Sequence, residues 1–379
     1  MQQLAGRALQ VCMLLTDMHK RVGMELFVRY IFFVAFLALF GCSEKSGSMY
    51  AEHISEPSCK PIIAVYPVWK HSNAELKSLP WNDFTHIAIS SIYPMSTGEL
   101  HSQEADLFLD TLVSLAHSKD KKVIISVGGA GKGSQGFVEL YKNHERVTEF
   151  VSNLLLYVEH HKIDGIDIDW EYWTYQHVQG KSGNDPIESQ QLVDLVKRLK
   201  ATMKPELLLT VDIMAGHWVG EQYLPELQKH ADYVNLMAFD FTGAWPESAI
   251  GYHSDYSTFI KSIEFVLDRG FNRNQVLVGV PAYGIEFENA SNNTINHHSY
   301  RSIVNELDGN LADIAKEKFN NIYFESPQTI KKKFSYVKDE LLGGIFMFEV
   351  TSDHRSPEHS LLKSAQSIIN DNCPNNELQ

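Results

Sequence analysis

Residues 164–173 read DGIDIDWEYW, and Asp167, Asp169 and Glu171 fall on every second position with Ile166, Ile168, Trp170 and Tyr172 between them. In an extended strand alternate side chains share a face, so the acids form one row and the apolar residues the other. A rise of about 3.3 Å per residue spaces the acids by about 6.6 Å. In water such a row would be an ordinary solvated face. In a low-dielectric interior the carboxyls cannot all ionise, and at least one keeps its proton. A carboxylic acid still protonated near neutrality is a general acid, able to hand its proton to a leaving oxygen. A calcium loop of EF-hand type fits poorly, because it needs glycine at its sixth position, where Asp169 stands, and apolar alternation is foreign to it.

The elements that must hold this row can be read around it. Eight short apolar runs recur along the chain: PIIAVY (61–66), HIAISSIY (86–93), KVIISVGG (122–129), IDGIDIDWE (163–171), LLLTVDIM (207–214), YVNLMAF (233–239), VLVGVPAYG (276–284) and GGIFMFEV (343–350). Amphipathic stretches of helical period lie between them, such as FVELYKNHERVTEFVSNLLLYVEHH (137–161) and SQQLVDLVKRLKATM (189–203). Near-continuous Val/Ile/Leu strands, each followed by a helix, indicate a parallel sheet covered on its faces. Eight such units predict a single α/β domain of the (β/α)₈ TIM-barrel type over residues 61–370, with a tail at 371–379. The alternative is a doubly wound open sheet. In a barrel, Ile166, Ile168 and Trp170 pack outward on the helix ring and the acids face inward. Glu171 then comes last, at the C-terminal rim where barrel active sites sit.

With these residues in place the chain resembles glycoside hydrolase family 18, the chitinase family. DGIDIDWE is similar to its DxxDxDxE signature at all four acids. SVGG (126–129) resembles SxGG on strand three, MAFD (237–240) resembles MxYD on strand six, and PAYG (281–284) lies on strand seven. GGIFMFEVTSD (343–353) resembles the strand-eight segment GGxMxWxxxxD. The resemblance implies a retaining, substrate-assisted hydrolase of β-1,4-linked N-acetylglucosamine glycans, chitin or chitooligosaccharides, in which the substrate's 2-acetamido oxygen is the nucleophile. Glu171 would be the general acid and base. Asp169 would orient and polarise the acetamido group, and Asp167 would share a proton with Asp169. Asp164 would be structural. Gly128, Gly129, Tyr172, Met237, Phe239, Asp240, Trp245 and Phe348 would contact the glycan. No cofactor or metal is implied. An endo-β-N-acetylglucosaminidase acting on N-glycans, a peptidoglycan hydrolase and a non-catalytic sugar-binding lectin are the alternatives. Retention of Glu171 favours an enzyme over a lectin.

The departures from the pattern are specific. Phe239 replaces the tyrosine of MxYD and removes a hydroxyl, Phe348 replaces the strand-eight tryptophan, Ala130 follows SVGG where tryptophan is common, and Ile285 follows PAYG where arginine is common. GGAGKGS (128–134) suggests a phosphate loop only superficially, since position 126 is Ser126 and Gly133 follows Lys132 where Ser or Thr is required; it reads as a flexible barrel loop. Only 41 residues separate Gly284 from Ser326, so an α+β insertion there is predicted to be reduced or absent, leaving an open cleft.

The formal net charge of −14 argues against nucleic acid as a partner. Before the barrel, the apolar run YIFFVAFLALFG (30–41) is short for a membrane span and suits a signal-peptide core over residues 1–41, with Met24 an alternative start. A buried N-terminal helix is the other reading. LFGC resembles a bacterial lipoprotein box, which implies lipid on Cys42, a linker at 42–60, and an exported monomer whose only membrane contact is that anchor, on the outer membrane or cell surface. The two cysteines left flanking the barrel, Cys59 and Cys373, are expected to form a disulfide. The pairs His160-His161 and His297-His298 read as solvated residues rather than metal ligands.

Overall fold

The apolar runs become eight parallel strands: β1 (Ile62–Pro67), β2 (His86–Pro94), β3 (Lys122–Gly128), β4 (Gly165–Asp169), β5 (Leu208–Met214), β6 (Tyr233–Met237), β7 (Val276–Pro281) and β8 (Gly344–Phe348). This computed structural model describes residues 59–171, 186–214, 220–245, 248–289 and 294–370, all within the unit Pro57–Gln379. Each strand pairs with the next, and β1 also pairs with β8 through Ile62↔Ile345, so the sheet closes into a barrel. Closure leaves no strand edge open.

Helices cover the outside because their sequences carry one apolar stripe and a cap. In the helix His144–His160, Val147, Phe150, Val151, Leu154 and Val158 are buried, spaced to lie on one face. Asn143 starts it by accepting from the Glu145 amide at 2.8 Å, and so divides the amphipathic stretch 137–161 into two helices, Lys132–Leu140 and His144–His160. Asp255, Ser326 and Ser360 cap three later helices in the same way, each such cap contributing about 1 kcal/mol. The segment after β7 forms a small antiparallel sheet, in which Tyr283–Asn289 is flanked by Thr294–Ser299 and Ile322–Tyr323, with short helices Tyr300–Glu306 and Leu311–Ile314. The α+β insertion is therefore reduced rather than absent.

The barrel's two chain ends meet. The Asn370 side chain accepts from the Lys60 amide and donates to the Lys60 carbonyl, both at 3.0 Å. Cys59 beside this clamp is disulfide-bonded, while Cys12, Cys42 and Cys373 lie outside the described residues. Since Cys373 follows the clamped Asn370 by three positions, a non-reducing peptide map is expected to link Cys59 to Cys373. Reduction should lower stability by up to roughly 5 kcal/mol, the chain-entropy cost of a very long loop. A map joining Cys59 to Cys42 would overturn the pairing.

Candidate active site

The two rows of β4 part as a barrel strand requires. Ile166, Ile168 and Trp170 are fully buried, and the Trp170 ring stacks on Phe137 at 4.8 Å under the helix Lys132–Leu140. The acids point the other way, into a cavity of about 300 Å³ inside the barrel mouth. Asp167 is the deepest. Its Oδ1 accepts from Thr210 Oγ1 at 2.6 Å and Asn235 Nδ2 at 3.0 Å, and its Oδ2 from Ser126 Oγ at 2.9 Å. Strands β5, β6 and β3 thus each contribute a donor. Burial pushes its carboxyl up, against the pull of these donors.

Asp169 is one step higher, and among the described residues its Oδ1 has no hydrogen-bond partner. Burial, then the charges of Glu171, Asp212 and Asp167, push it well above the ordinary carboxylate range. Glu171 stands at the rim, its amide donating to Ser134 Oγ at 2.6 Å. Burial first, and then the negative charge of Asp240, push the Glu171 carboxyl up to about 7. A carboxyl in that range is about half protonated at neutrality and can both give and take a proton.

Close backbone approach positions this rim. The Gly129 amide donates to the Asp169 carbonyl at 2.8 Å, and Gly128 has φ +121° with no room for a side chain, since a Cβ there would lie 2.1 Å from the Asp169 carbonyl oxygen. Ser134 donates to the Gly129 carbonyl at 2.7 Å while receiving the Glu171 amide. The GGAGKGS segment, expected to be a flexible barrel loop, runs from the last residue of β3 through residues 129–131 into the helix beginning at Lys132, and Ser134 ties it to the end of β4.

Across the cavity, Asp240 accepts from Tyr283 OH at 2.7 Å and His253 Nδ1 at 3.0 Å. Burial pushes its carboxyl up, but His253 and Tyr283 outweigh this and hold it below the ordinary range. Phe239 and Phe348 face each other in a stacked arrangement 6.2 Å apart, and Tyr283 presents its edge to both at 6.5 and 6.4 Å. These rings form an apolar wall opposite the acids.

The sequence-derived residues are therefore largely gathered: Asp167, Asp169, Glu171, Met237, Phe239, Asp240 and Phe348 all line one cavity, with Gly128 and Gly129 behind it. Trp245 is not among the cavity's described lining; it lies after β6 beside Gly243, where an added Cβ would meet its ring at 2.3 Å. Tyr172 lies outside the described residues. Asp164 sits at the opposite end of β4, where it accepts from the Val123 amide and His117, both at 2.8 Å, and from Lys122 at 3.0 Å. It ties strand ends together and does not reach the cavity. Sequence reasoning missed Asp212, Asn235, Thr210, His253 and Tyr283. The period-two row Thr210, Asp212, Met214 on β5 and the tyrosine of PAYG were readable signals, whereas His253 carried none. Among the described residues no group of His, Cys, Asp and Glu is placed to hold a metal ion.

Comparison with known proteins agrees with this geometry. The family model for glycosyl hydrolases family 18 matches residues 62–353. Human chitinase-3-like protein 2 is 27% identical over 260 residues, 62% of this chain and 66% of that protein. The chain spans only 58% and 66% of the lengths of two curated relatives that it matches. Among solved structures, a chitinase from Bacteroides thetaiotaomicron superposes with a TM-score of 0.71 at 20% identity, covering 83% of this chain and 98% of that one. A chitinase of the same family from Cycas revoluta, solved in complex with (GlcNAc)3, superposes with a TM-score of 0.66 at 21% identity, covering 81% and 99%.

The pKa of Glu171 carries a stability consequence. Its folded value, about 7 against an ordinary 4.5, is raised, so its stabilising contribution is complete below about 4.5 and is lost as pH rises through about 7. Glu171→Gln has no charge to bury. Between pH 5 and pH 8 the wild type is expected to lose roughly 2 kcal/mol relative to this variant, seen as a Tm difference widening by about 2–4 °C. Parallel Tm curves for the two proteins across that range would show that Glu171 ionises normally.

Proposed function

The chain belongs to glycosyl hydrolase family 18, and from its site we propose that it hydrolyses β-1,4 bonds in glycans containing N-acetylglucosamine, with chitin or chitooligosaccharides as the substrate class. The observation that carries this is Glu171 poised near neutrality at the rim of a cavity with carboxyls below it and aromatic rings opposite. Phe348 and Phe239 offer an apolar face for a sugar ring. Glu171 protonates the oxygen of the departing sugar. The carbonyl oxygen of the substrate's 2-acetamido group attacks the anomeric carbon from the opposite face, giving a cyclic intermediate, and water activated by Glu171 opens it with net retention. Asp169 receives the acetamido N–H on its unpartnered Oδ1 and polarises the group. The (GlcNAc)3 complex of the Cycas revoluta chitinase supports this substrate class.

An exported, lipid-anchored address is part of the same proposal and rests on the LFGC stretch ending at Cys42, outside the described residues. Among those residues no helix is long and apolar enough to cross a membrane. The native protein is expected to partition with membranes through lipid on Cys42, and Cys42→Ala should lose both the added mass and the partitioning. Retention of both in that variant would remove the anchor from Cys42.

For the chemistry, Glu171→Gln should lower kcat by roughly 10²- to 10⁴-fold on a chromogenic N,N′-diacetylchitobioside while KM changes little, because the amide keeps the shape and cannot give a proton. The matching 2-hydroxy glucoside should be inert, and a thiazoline mimic of the cyclic intermediate should inhibit competitively. Efficient hydrolysis of the glucoside without thiazoline inhibition would falsify the substrate-assisted route.

A further inference from the structure

A fourth carboxyl stands beside the acid row of β4. Asp212 lies on β5, two residues beyond Thr210, whose cross-strand partner is Asp167, and directly opposite Asn235 on β6. Ile168 pairs with Val211, so the same register brings Asp212 level with Asp169. Its side chain lines the cavity beside Asp167 and Asn235 and lies within hydrogen-bonding reach of both. The Asn235 amide donates to Asp167 at 3.0 Å and so stands at the junction of the two carboxyls.

The hydrogen-bond directions decide what Asp212 does there. Asp167 already accepts from Thr210, Asn235 and Ser126, an arrangement that favours its anion. A carboxyl that bonds to this anion must bring the proton, and one that also receives the Asn235 amide must do so through its other oxygen. Both conditions describe a protonated Asp212. Asp169 is left with Oδ1 unpartnered among the described residues.

We propose that Asp212 is a positioning residue of the relay: as the carboxylic acid it donates to Asp167 and completes that anion's set of donors, so that Asp169 keeps its own carboxyl for the substrate's acetamido group. The inference rests on the hydrolase reading above and places the proton-sharing partner of Asp167 on β5 rather than at Asp169. No proton leaves Asp212 during turnover. Glu171 gives one to the leaving oxygen and recovers one from the attacking water. The titratable groups facing Asp212 among the described residues are Asp167, Asp169 and Glu171 from β4; β6 presents the neutral Asn235, with Asp240 and Tyr283 above. Burial and then the charge of Asp167 push Asp212 well above the ordinary range, consistent with the acid form.

The test compares Asp212→Ala with Asp212→Asn on the chromogenic N,N′-diacetylchitobioside across pH, with infrared titration of buried carboxylic acids in the same proteins. An amide can donate to Asp167 and accept from Asn235, as the protonated acid does. Loss of a donor makes Asp167 bind its proton more readily. Asp212→Ala is therefore expected to lower kcat at least about tenfold with KM within about twofold, and to move the acid limb of kcat/KM up by about half a pH unit or more. Asp212→Asn should restore kcat to within about threefold and return the limb to its wild-type position. Its infrared spectrum at pH 7 should lack one protonated carboxyl band that the wild type has. If Asp212→Ala does not fold, Asp212→Val, which likewise carries no donor, takes its place. A wild-type kcat and acid limb in the alanine or valine variant, equal damage from alanine and asparagine with an unmoved limb, or an unchanged carboxyl band would each overturn the proposal. A wild type inert toward the acetamido substrate would instead count against the hydrolase reading, and the infrared comparison would still decide the state of Asp212.

Discussion

The barrel must keep five carboxyl groups, Asp167, Asp169, Glu171, Asp212 and Asp240, in one cavity, and most other features of the site follow from that requirement. An isolated carboxylate removed from water is costly, and the cost is met by donors, by a retained proton or by both. The two solutions are arranged by depth. At the bottom, strands β3, β5 and β6 supply three donors to Asp167. Higher up, burial and neighbouring negative charge push Asp169 well above the ordinary carboxylate range and Glu171 to about 7. A gradient from satisfied anion to readily lost proton runs up one strand. It ends where the barrel opens.

Such a gradient needs rigid walls, because a carboxyl that could swing into water would simply ionise. The outward row of β4 supplies this. Trp170 is held between β4 and the overlying helix by its stack on Phe137, which fixes the strand's facing, and a one-residue slip would exchange the acid row for isoleucine. Ser134 and the close approach of Gly128 hold the strand's last turn against its neighbour. The same helix that buries the apolar row therefore also pins the Glu171 backbone.

Much of this was legible in the residues. The eight runs gave a barrel because parallel strands buried on both faces are apolar throughout, and alternation in DGIDIDWE assigned the acids inward. The partners of Asp167 were not legible, because Ser126, Thr210 and Asn235 come from three other runs and meet it only through register, which a single sequence does not encode. Asp212 was hidden for the same reason: within LLLTVDIM it is one acid in an apolar segment, and it gains meaning only when Asp167 is placed across from Thr210. Asn143 was read inside one amphipathic stretch, since the helical period continues through it, and only its side chain's bond to the Glu145 amide shows that a new helix begins there. Trp245 was assigned through resemblance alone, and a loop residue's direction depends on contacts such as its packing on Gly243 that no periodicity reports.

On the proposed route, the absence of a tyrosine hydroxyl at Phe239 shifts the chemistry onto these buried acids. The nearby hydroxyl on that wall, Tyr283 OH, is already committed to Asp240 at 2.7 Å, and helps keep Asp240 an anion against the effect of burial. After burial, that anion is in turn the charge that pushes the Glu171 carboxyl up. Tyr283 thus serves the acid through Asp240, and diverting its hydroxyl to an acetamido group would weaken the support that keeps Glu171 protonated. On that route polarisation of the acetamido group falls to Asp169, whose Oδ1 has no hydrogen-bond partner among the described residues. Leaving that position empty costs stability in the free protein, and a substrate N–H would recover it on binding. The proposed selectivity for an N-acetylated sugar then lies in the nucleophile: a ring bearing a 2-hydroxyl can offer its proton to Oδ1, but it carries no carbonyl oxygen to attack the anomeric carbon.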